Sequence, residues 1–377
     1  MTRVLLNASL AESLILFRKD LIADMIANGH EVHVTAPDIA TQVYEELVLV
    51  GAIPHSVPLE SNGFNVIKDL RYARAIYAVI TDISAQLVIG YTIKPNIWGS
   101  LAAKVAGVKS ISMVTGLGFA FIPRKGIVRK MMQKFAQRLY RLATSANSVV
   151  IFQNADDRDD FIGAGSLAEP DKARLVNGSG VNIEYFQLSP LPARPVFLMI
   201  SRYLWTKGLS EYCEAAVRLI QKKIDADFLL VGYASTGPDA VTHEQLQLWQ
   251  KSGVQFLGKL SDVRPAIASA SIYVLPSWRE GTPRSVLEAM AMGRPIITTD
   301  APGCRETVVQ DYNGTLVPIR DVDALASAME LLANDQQKRA EMGANSRALA
   351  VRKYAVGAVN KSYLEYLGLA VPIADIL

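Results

Sequence analysis

Short apolar runs alternate with helix-period stretches from one end of the chain to the other. Val4-Leu5-Leu6, Val32-His33-Val34, Leu87-Val88-Ile89, Ile111-Ser112-Met113 and Val149-Val150-Ile151 are largely apolar at consecutive positions. That is the pattern of strands buried on both faces of a parallel sheet. Between them lie amphipathic stretches of helical length, several closed by glycine, as at Ala27-Asn28-Gly29. A proline-rich stretch, Ser189-Pro190-Leu191-Pro192-Ala193-Arg194-Pro195, interrupts the series. Proline stiffens a connection and cannot join a central strand, so this stretch reads as a hinge. The alternation then restarts with Val196-Phe197-Leu198-Met199-Ile200, Phe228-Leu229-Leu230-Val231, Ile272-Tyr273-Val274-Leu275 and Ile296-Ile297. Two such series predict two doubly wound, Rossmann-like α/β domains, residues 1–188 and 189–354, with a helix at about 355–377 packing back on the first. Ligands of such sheets bind beyond the carboxyl ends of the strands, which predicts a cleft between the domains.

Composition narrows the class. Of 377 residues half are apolar and 20% are charged, enough for two buried cores and too apolar for a disordered chain. A net charge of +3 gives no footprint for nucleic acid. Cys213 and Cys304, the two cysteines, form neither a disulfide framework nor a metal-ligand cluster, which fits a reducing compartment. Met-Thr-Arg-Val-Leu-Leu-Asn at the start leads into a strand without signal-peptide design. No uncharged apolar run reaches the roughly 18–20 residues of a membrane span. The expectation is a soluble, cytoplasmic protein.

The stretch richest in chemistry is Leu275-Pro276-Ser277-Trp278-Arg279-Glu280-Gly281-Thr282-Pro283-Arg284-Ser285-Val286-Leu287-Glu288. A strand runs into a tight loop, and a helix starts near Pro283, a residue suited to a first turn. The amide groups of Arg284, Ser285, Val286 and Leu287 would then offer an anion site, with Glu280 in the loop and Glu288 one turn inside. Carboxylates beside an anion site suit an anion that carries sugars, because each accepts pairs of hydroxyl hydrogen bonds. Glutamates at this separation also arise by chance, and the neighbouring residues, not the spacing, support the reading. A second stretch, Ser201-Arg202-Tyr203-Leu204-Trp205-Thr206-Lys207-Gly208, leaves the first strand of the second domain. It puts two fixed cations, Arg202 and Lys207, at the same edge, where charge-assisted bonds to a diphosphate are each worth about 1.5–3 kcal/mol.

With these stretches in view the sequence resembles family 4 of the retaining nucleotide-sugar glycosyltransferases, whose fold is called GT-B. The resemblance rests on Ser-Arg-x-x-x-x-Lys-Gly at 201–208, Glu-x7-Glu at 280–288 and Ala301-Pro302-Gly303-Cys304-Arg305-Glu306. Asn177-Gly178-Ser179-Gly180-Val181-Asn182 and Asp311-Tyr312-Asn313-Gly314 belong to it too. More narrowly, Tyr91-Thr92-Ile93-Lys94-Pro95-Asn96 and Val114-Thr115-Gly116-Leu117-Gly118 resemble bacterial enzymes that extend polyprenyl-diphosphate-linked sugars, the N-acetylgalactosaminyl transferases of glycan assembly among them.

The resemblance implies that Arg202 and Lys207 hold the donor diphosphate and that Glu280 binds the transferred sugar beside the amides of Gly281 and Thr282. It implies Glu288 on the ribose, Ser285, Val286 and Leu287 around it, and Phe256-Leu257-Gly258-Lys259-Leu260 facing the base. Two departures stand out. Asn7-Ala8-Ser9-Leu10-Ala11 lacks the Gly-Gly pair of the first turn, and Thr115-Gly116-Leu117-Gly118 replaces the first-domain histidine of many members. No catalytic histidine is therefore assigned.

Other signals read as ordinary structure. Asp225-Ala226-Asp227 imitates a metal motif but precedes a strand, away from the ligand edge. Asp156-Asp157-Arg158-Asp159-Asp160 follows Asn154 at a helix start, where acids favour the dipole. One charge feature is different: no Asp or Glu occurs between Asp82 and Asp156. In that segment Val128, Met131, Met132, Phe135, Leu139 and Leu142 form one helical stripe, and Arg129, Lys130, Lys134, Arg138 and Arg141 line the opposite face. The stripe fits a core-packed helix with a solvated basic face. It also fits a helix whose bases meet anionic lipid, with Phe119-Ala120-Phe121-Ile122-Pro123 as an apolar wedge.

The reading is a retaining transferase moving a hexose or N-acetylhexosamine from a UDP-sugar to a polyprenyl-diphosphate-linked saccharide. It uses no cofactor and no metal. Thr115, Gly116 and Gly118 would serve the acceptor, and Arg129, Lys130, Lys134 and Arg138 the anionic membrane surface, with the protein peripheral on the inner face of the cytoplasmic membrane. The alternatives are a sugar-nucleotide epimerase of the same fold and a non-catalytic nucleotide-sugar-binding protein.

Overall fold

The computed structural model describes residues 1–60, 65–117, 121 and 127–370, the side chains of residues 127–129 excepted. The chain divides into two compact units, Met1–Ser179 with the segment from Ala358 onward, and Gly180–Gly357.

In the first unit seven strands form one parallel sheet: β1 Arg3–Asn7, β2 Glu31–Ala36, β3 Ile53–Ser56, β4 Leu87–Tyr91, β5 Lys109–Val114, β6 Asn147–Phe152 and β7 Ala173–Leu175. Their order is β3-β2-β1-β4-β5-β6-β7, so the strand order reverses between β1 and β4. Helices α1 Glu12–Ala27, α2 Thr41–Val50, α3 Val66–Asp82, α4 Ser100–Ala106, α5 Ile127–Ala146 and α6 Ala155–Gly163 complete the crossovers. The sheet is buried on both sides because its strands are apolar on both: Val4, Leu6 and Ile89 enter one core cluster, Leu5, Val88 and Val150 the other.

The second unit holds six parallel strands: β8 Val196–Ile200, β9 Asp227–Val231, β10 Gln255–Gly258, β11 Ile272–Leu275, β12 Ile296–Thr299 and β13 Gly314–Val317, in the order β10-β9-β8-β11-β12-β13. Its helices are α7 Leu209–Gln221, α8 His243–Lys251, α9 Arg264–Ser269, α10 Arg284–Ala291, α11 Val322–Asn334 and α12 Gln336–Leu349. The reversal lies between β8 and β11, so the loops that leave these strands flank the natural ligand position of this sheet.

A last helix, α13 Val356–Leu367, buries Val359, Tyr363, Leu364 and Leu367 in the first unit's core. There the Tyr363 hydroxyl donates to the Gly178 carbonyl at 3.0 Å and its ring lies 5.4 Å from the buried Arg18 guanidinium, which also faces Tyr91.

Two expectations need correction. The boundary falls after Ser179 rather than after 188, because Val181 and Phe186 are buried in the second core and the Val181 amide donates to the Tyr354 carbonyl. The proline-rich stretch is accordingly no hinge. Buried Arg294 donates to the carbonyls of Ser189 and Pro190, and buried Arg339 to that of Ala193, which fastens 189–195 to the second unit.

The acid-free helix also differs from expectation. On α5 the buried positions are Ala136, Tyr140, Ala143 and Thr144, while Met131 is 66% and Leu142 50% exposed, together with Lys130, Lys134, Arg138 and Arg141. Ala136, Ala143 and Thr144 let α5 lie close on its neighbours and Tyr140 fills the core beside them; of the predicted stripe, Leu139 packs against that core while Met131, Met132, Phe135 and Leu142 are exposed. Phe121 stacks on Phe161 at 5.3 Å and packs against Tyr140, a core contact rather than a membrane wedge; the rest of 119–123 lies outside the described residues. Among the described residues no helix is long and apolar enough to cross a membrane.

Candidate functional site

Everything that points to donor chemistry gathers on the second unit. Arg202 follows β8 by two positions, is exposed and makes no ion pair with any described residue. The loop then turns through a tight helical turn, Trp205–Lys207, to Gly208 at φ +74°. A Cβ there would stand 2.0 Å from the Pro276 carbonyl oxygen, so only glycine lets the loop after β8 touch the loop after β11. The two loops are then tied by hydrogen bonds: the Trp278 amide and the Ser277 hydroxyl both donate to the Thr206 carbonyl, at 2.9 and 3.1 Å.

This docking brings Lys207 to Glu280. The Lys207 ammonium donates to both carboxylate oxygens, at 2.6 and 2.7 Å, with the side chains 21% and 13% exposed. Glu280 is itself held from behind: its amide donates to the Pro302 carbonyl at 2.9 Å, and Gly303, at φ +79°, lies so close that a Cβ would meet the Glu280 carbonyl oxygen at 2.1 Å. Hence the 301–306 run acts through backbone contact. Cys304 in that run is fully buried and its thiol is pushed up to about 12, above all by burial, so it is no nucleophile.

After Gly281 and Thr282 the chain enters α10, whose start has no capping side chain. The four amides expected to be free are not all so. That of Leu287 makes the ordinary i→i−4 bond to the Pro283 carbonyl at 3.3 Å, and that of Val286 turns back to the same oxygen at 3.1 Å, because a first turn without a cap tightens on itself. Val286 and Leu287 are buried, and Ser285 donates its hydroxyl toward the Ile200 carbonyl at 3.4 Å. Glu288 accepts from Arg284 Nε at 2.9 Å. Burial raises the Glu288 carboxyl above its ordinary value, and the Arg284 charge and hydrogen bond oppose that rise.

On the far side of β8, Gln255–Gly258 is a strand, so of the expected base-facing turn only Lys259 and Leu260 lie beyond a strand end. Lys259 sits 5.3 Å from the ring of Tyr233, which is itself exposed. In the first unit, Thr115 and Gly116 follow β5 at the carboxyl edge of its sheet, while Gly118 lies outside the described residues. Lys130, Lys134 and Arg138 are exposed along α5, and the Arg129 side chain lies outside the description. Asp225 and Asp227 stand at the amino end of β9, both paired with Arg194.

Two features of the site escape a reading of local sequence. Arg284 reads there as one amide of a helix start, although its i,i+4 spacing to Glu288 is visible. Trp278, with Arg320 3.7 Å above its ring and its indole N–H donating to Glu211 at 2.9 Å, anchors the Glu280 loop through contacts far apart in sequence.

A loop-borne Lys–Glu pair, a second partly buried carboxylate and an arginine with no ion pair among the described residues thus converge where strand order reverses. The model described as "Glycosyl transferases group 1" matches residues 194–335, and the one described as "Glycosyl transferase 4-like" matches residues 3–154. The chain belongs to the glycosyltransferases of the GT-B fold.

This glycosyltransferase is 28% identical over 365 residues to the N,N'-diacetylbacillosaminyl-diphospho-undecaprenol alpha-1,3-N-acetylgalactosaminyltransferase of Campylobacter jejuni, covering 93% of its own chain and 94% of that enzyme. It is 26% identical over 294 residues to the UDP-Gal:alpha-D-GlcNAc-diphosphoundecaprenol alpha-1,3-galactosyltransferase of Escherichia coli, 74% of each chain. Among solved structures, Anabaena HepE in complex with UDP superposes with a TM-score of 0.76 at 19% identity, over 98% of this chain and 100% of that one. Sucrose-phosphate synthase from Thermosynechococcus elongatus gives 0.79 at 16% identity, over 98% and 100%. At such identities the structural likeness speaks for the fold alone.

Proposed function

We propose that this glycosyltransferase moves a hexose or N-acetylhexosamine, with retention, from a UDP-sugar to a hydroxyl of a polyprenyl-diphosphate-linked saccharide in bacterial glycan assembly. The observation that carries the reading is the pairing of Lys207 with Glu280 beside Arg202, at the carboxyl edge where β8 and β11 part. An ion pair with both partners partly exposed is a resting arrangement that a ligand bearing an anion and hydroxyls can divide: the diphosphate takes Lys207, and the sugar hydroxyls take Glu280. The relatives named for undecaprenyl-diphosphate-linked substrates, one of them also named for UDP-Gal, support the same classes of acceptor and donor.

In this reading the C–O bond to the departing diphosphate breaks on the same face of the sugar that the acceptor hydroxyl attacks. Arg202 and Lys207 meet the charge that grows on the leaving oxygen, and that oxygen takes the acceptor proton. No residue is asked to act as a covalent nucleophile or as a metal ligand. The acceptor's lipid tail confines the reaction to a bilayer surface, the inner face of the cytoplasmic membrane, and the exposed basic side of α5 meets its anionic lipid.

The test is a panel of nucleotide sugars incubated with and without short polyprenyl-diphosphate sugars, with the product's anomeric configuration read by NMR and a parallel series in chelator. Transfer from a UDP-sugar with retained configuration, undiminished by chelator, is the expected result. Inversion, dependence on a divalent cation, or turnover of donor to an epimer without acceptor would each defeat it.

A further inference from the structure

Arg284 stands where the helix dipole disfavours a cation. It is the first residue of α10, in a first turn without an acid or a capping side chain, so its charge opposes the helix dipole. Its partner Glu288 lies four residues on, and a base placed before its acid is the poorer order for such a pair. Yet the bond is short, 2.9 Å from Nε to Oε1, and both side chains are largely covered, at 21% and 13% exposure. The second oxygen, Oε2, receives no hydrogen bond from any described residue. A carboxylate fixed by one oxygen and open at the other is prepared to accept hydroxyl donors from a ligand.

We propose that Arg284 is a positioning residue of the donor site, holding Glu288 charged and fixed so that the pair, rather than Glu288 alone, recognises the vicinal diol of the donor's nucleoside. This deepens the reading of the site as a nucleoside-diphosphate site and rests on it. Of the charged and titratable groups described on the elements around α10, only Arg284 supplies a cation to this carboxylate. Tyr273 on β11 faces Glu288 and Glu280 with a hydroxyl turned to the Ile200 carbonyl. Arg347 on α12 is committed to the carbonyls of Ile183, Phe186 and Ala291. Lys353 and Tyr354 just beyond α12 both donate to the Glu306 carbonyl, and Lys207 is paired with Glu280.

Burial pushes the Glu288 carboxyl toward its neutral form, and Arg284 is what opposes it. Removing the cation therefore moves loss of the charged carboxylate to higher pH. The experiment is calorimetric titration of UDP and of 2′-deoxy-UDP into the whole protein between about pH 5.5 and 8. The variants are Arg284→Gln, Arg284→Lys, Glu288→Gln and the double Arg284→Gln/Glu288→Gln. For Arg284→Gln we expect UDP affinity to fall roughly tenfold more at the acidic end than at the alkaline end, as it would if the carboxyl took up its proton about one pH higher. The parent should stay flatter, Arg284→Lys should recover most of the loss, and 2′-deoxy-UDP should show little difference between parent and variant. In the Glu288→Gln background the second substitution should add nothing, which keeps the result legible even if Arg284→Gln is itself poorly folded. Parental UDP affinity and pH dependence in Arg284→Gln overturns the proposal, as does a loss equal at every pH that lysine does not repair. Failure of the parent to bind UDP at all is a different result, and it sinks the donor reading instead.

Discussion

At the scale of single residues, the proposed chemistry centres on the Lys207–Glu280 contact. Each partner neutralises the other at 2.6 Å in a partly covered place, so truncating either removes a close ion pair. Lys207→Ala is expected to lower kcat by about 10²–10³, the cost of removing one preorganised group from a developing negative charge. Steady-state rates with saturating UDP-sugar check this, and a change confined to KM would show that the lysine only binds. Glu288→Ala should act the other way, weakening UDP binding more than the chemical step, because the ribose that Glu288 is proposed to hold does not react. The pH sign follows from burial: it raises the Glu288 carboxyl above its ordinary value, so donor affinity should decline on acidification earlier than a surface glutamate would allow. Cys304 offers a control. With the thiol buried and pushed up to about 12, an alkylating reagent should leave it unmodified and the activity intact in the native protein, as intact-mass measurement would record.

At the scale of elements, the site depends on loops that touch through glycine. Gly208→Ala puts a side chain 2.0 Å from the Pro276 carbonyl at a left-handed φ, which costs about 1–2 kcal/mol in conformation before the clash is counted. Loss of UDP binding, together with a lower midpoint in urea, is the expected outcome. Helix α5 makes a contrasting case, since what it exposes is charge and apolar bulk on the same side. Lys130→Glu, Lys134→Glu and Arg138→Glu together should release the protein from anionic vesicles, and less so at high salt, where charges are screened beyond about 8 Å. UDP affinity should hold, because the residues proposed to bind the donor lie on the other unit. Equal vesicle sedimentation by parent and variant would return α5 to a solvated surface.

For the whole molecule, the decisive element is the last helix. Val359, Tyr363, Leu364 and Leu367 complete the core of the first unit, although they come at the far end of the chain. Tyr363→Ala removes one of the two rings facing buried Arg18 and the hydroxyl that reaches Gly178, a loss of about 3–5 kcal/mol for a buried aromatic. Urea unfolding should show that loss, while calorimetry on the folded protein should find UDP affinity unchanged. An equal fall in UDP affinity would mean that the second unit depends on this helix as well.

The central strands and the loops that leave them were legible in the sequence because each is a local pattern. A strand buried on both faces is written as an unbroken apolar run, as in Val196–Ile200, and the residues that follow it in the chain must lie at its carboxyl end. What escaped were β3, β7, β10 and β13, which are the edges of their sheets. An edge strand is half solvated and pairs on one side only, so Ile53–Ser56 and Gln255–Gly258 carry too few buried positions to announce themselves. The direction in which α5 faces was decided by packing: Tyr140 fills the core and Ala136, Ala143 and Thr144 let neighbouring elements approach, which no hydrophobic count reveals. The same holds for the proline-rich stretch, fastened by arginines about 100 and 146 positions away. Sequence by itself determined which residues follow the carboxyl ends of β8 and β11. Tertiary structure alone decided that Lys207 pairs with Glu280 and Arg284 with Glu288, because pairing follows distance in space, which the chain sets only when its loops close.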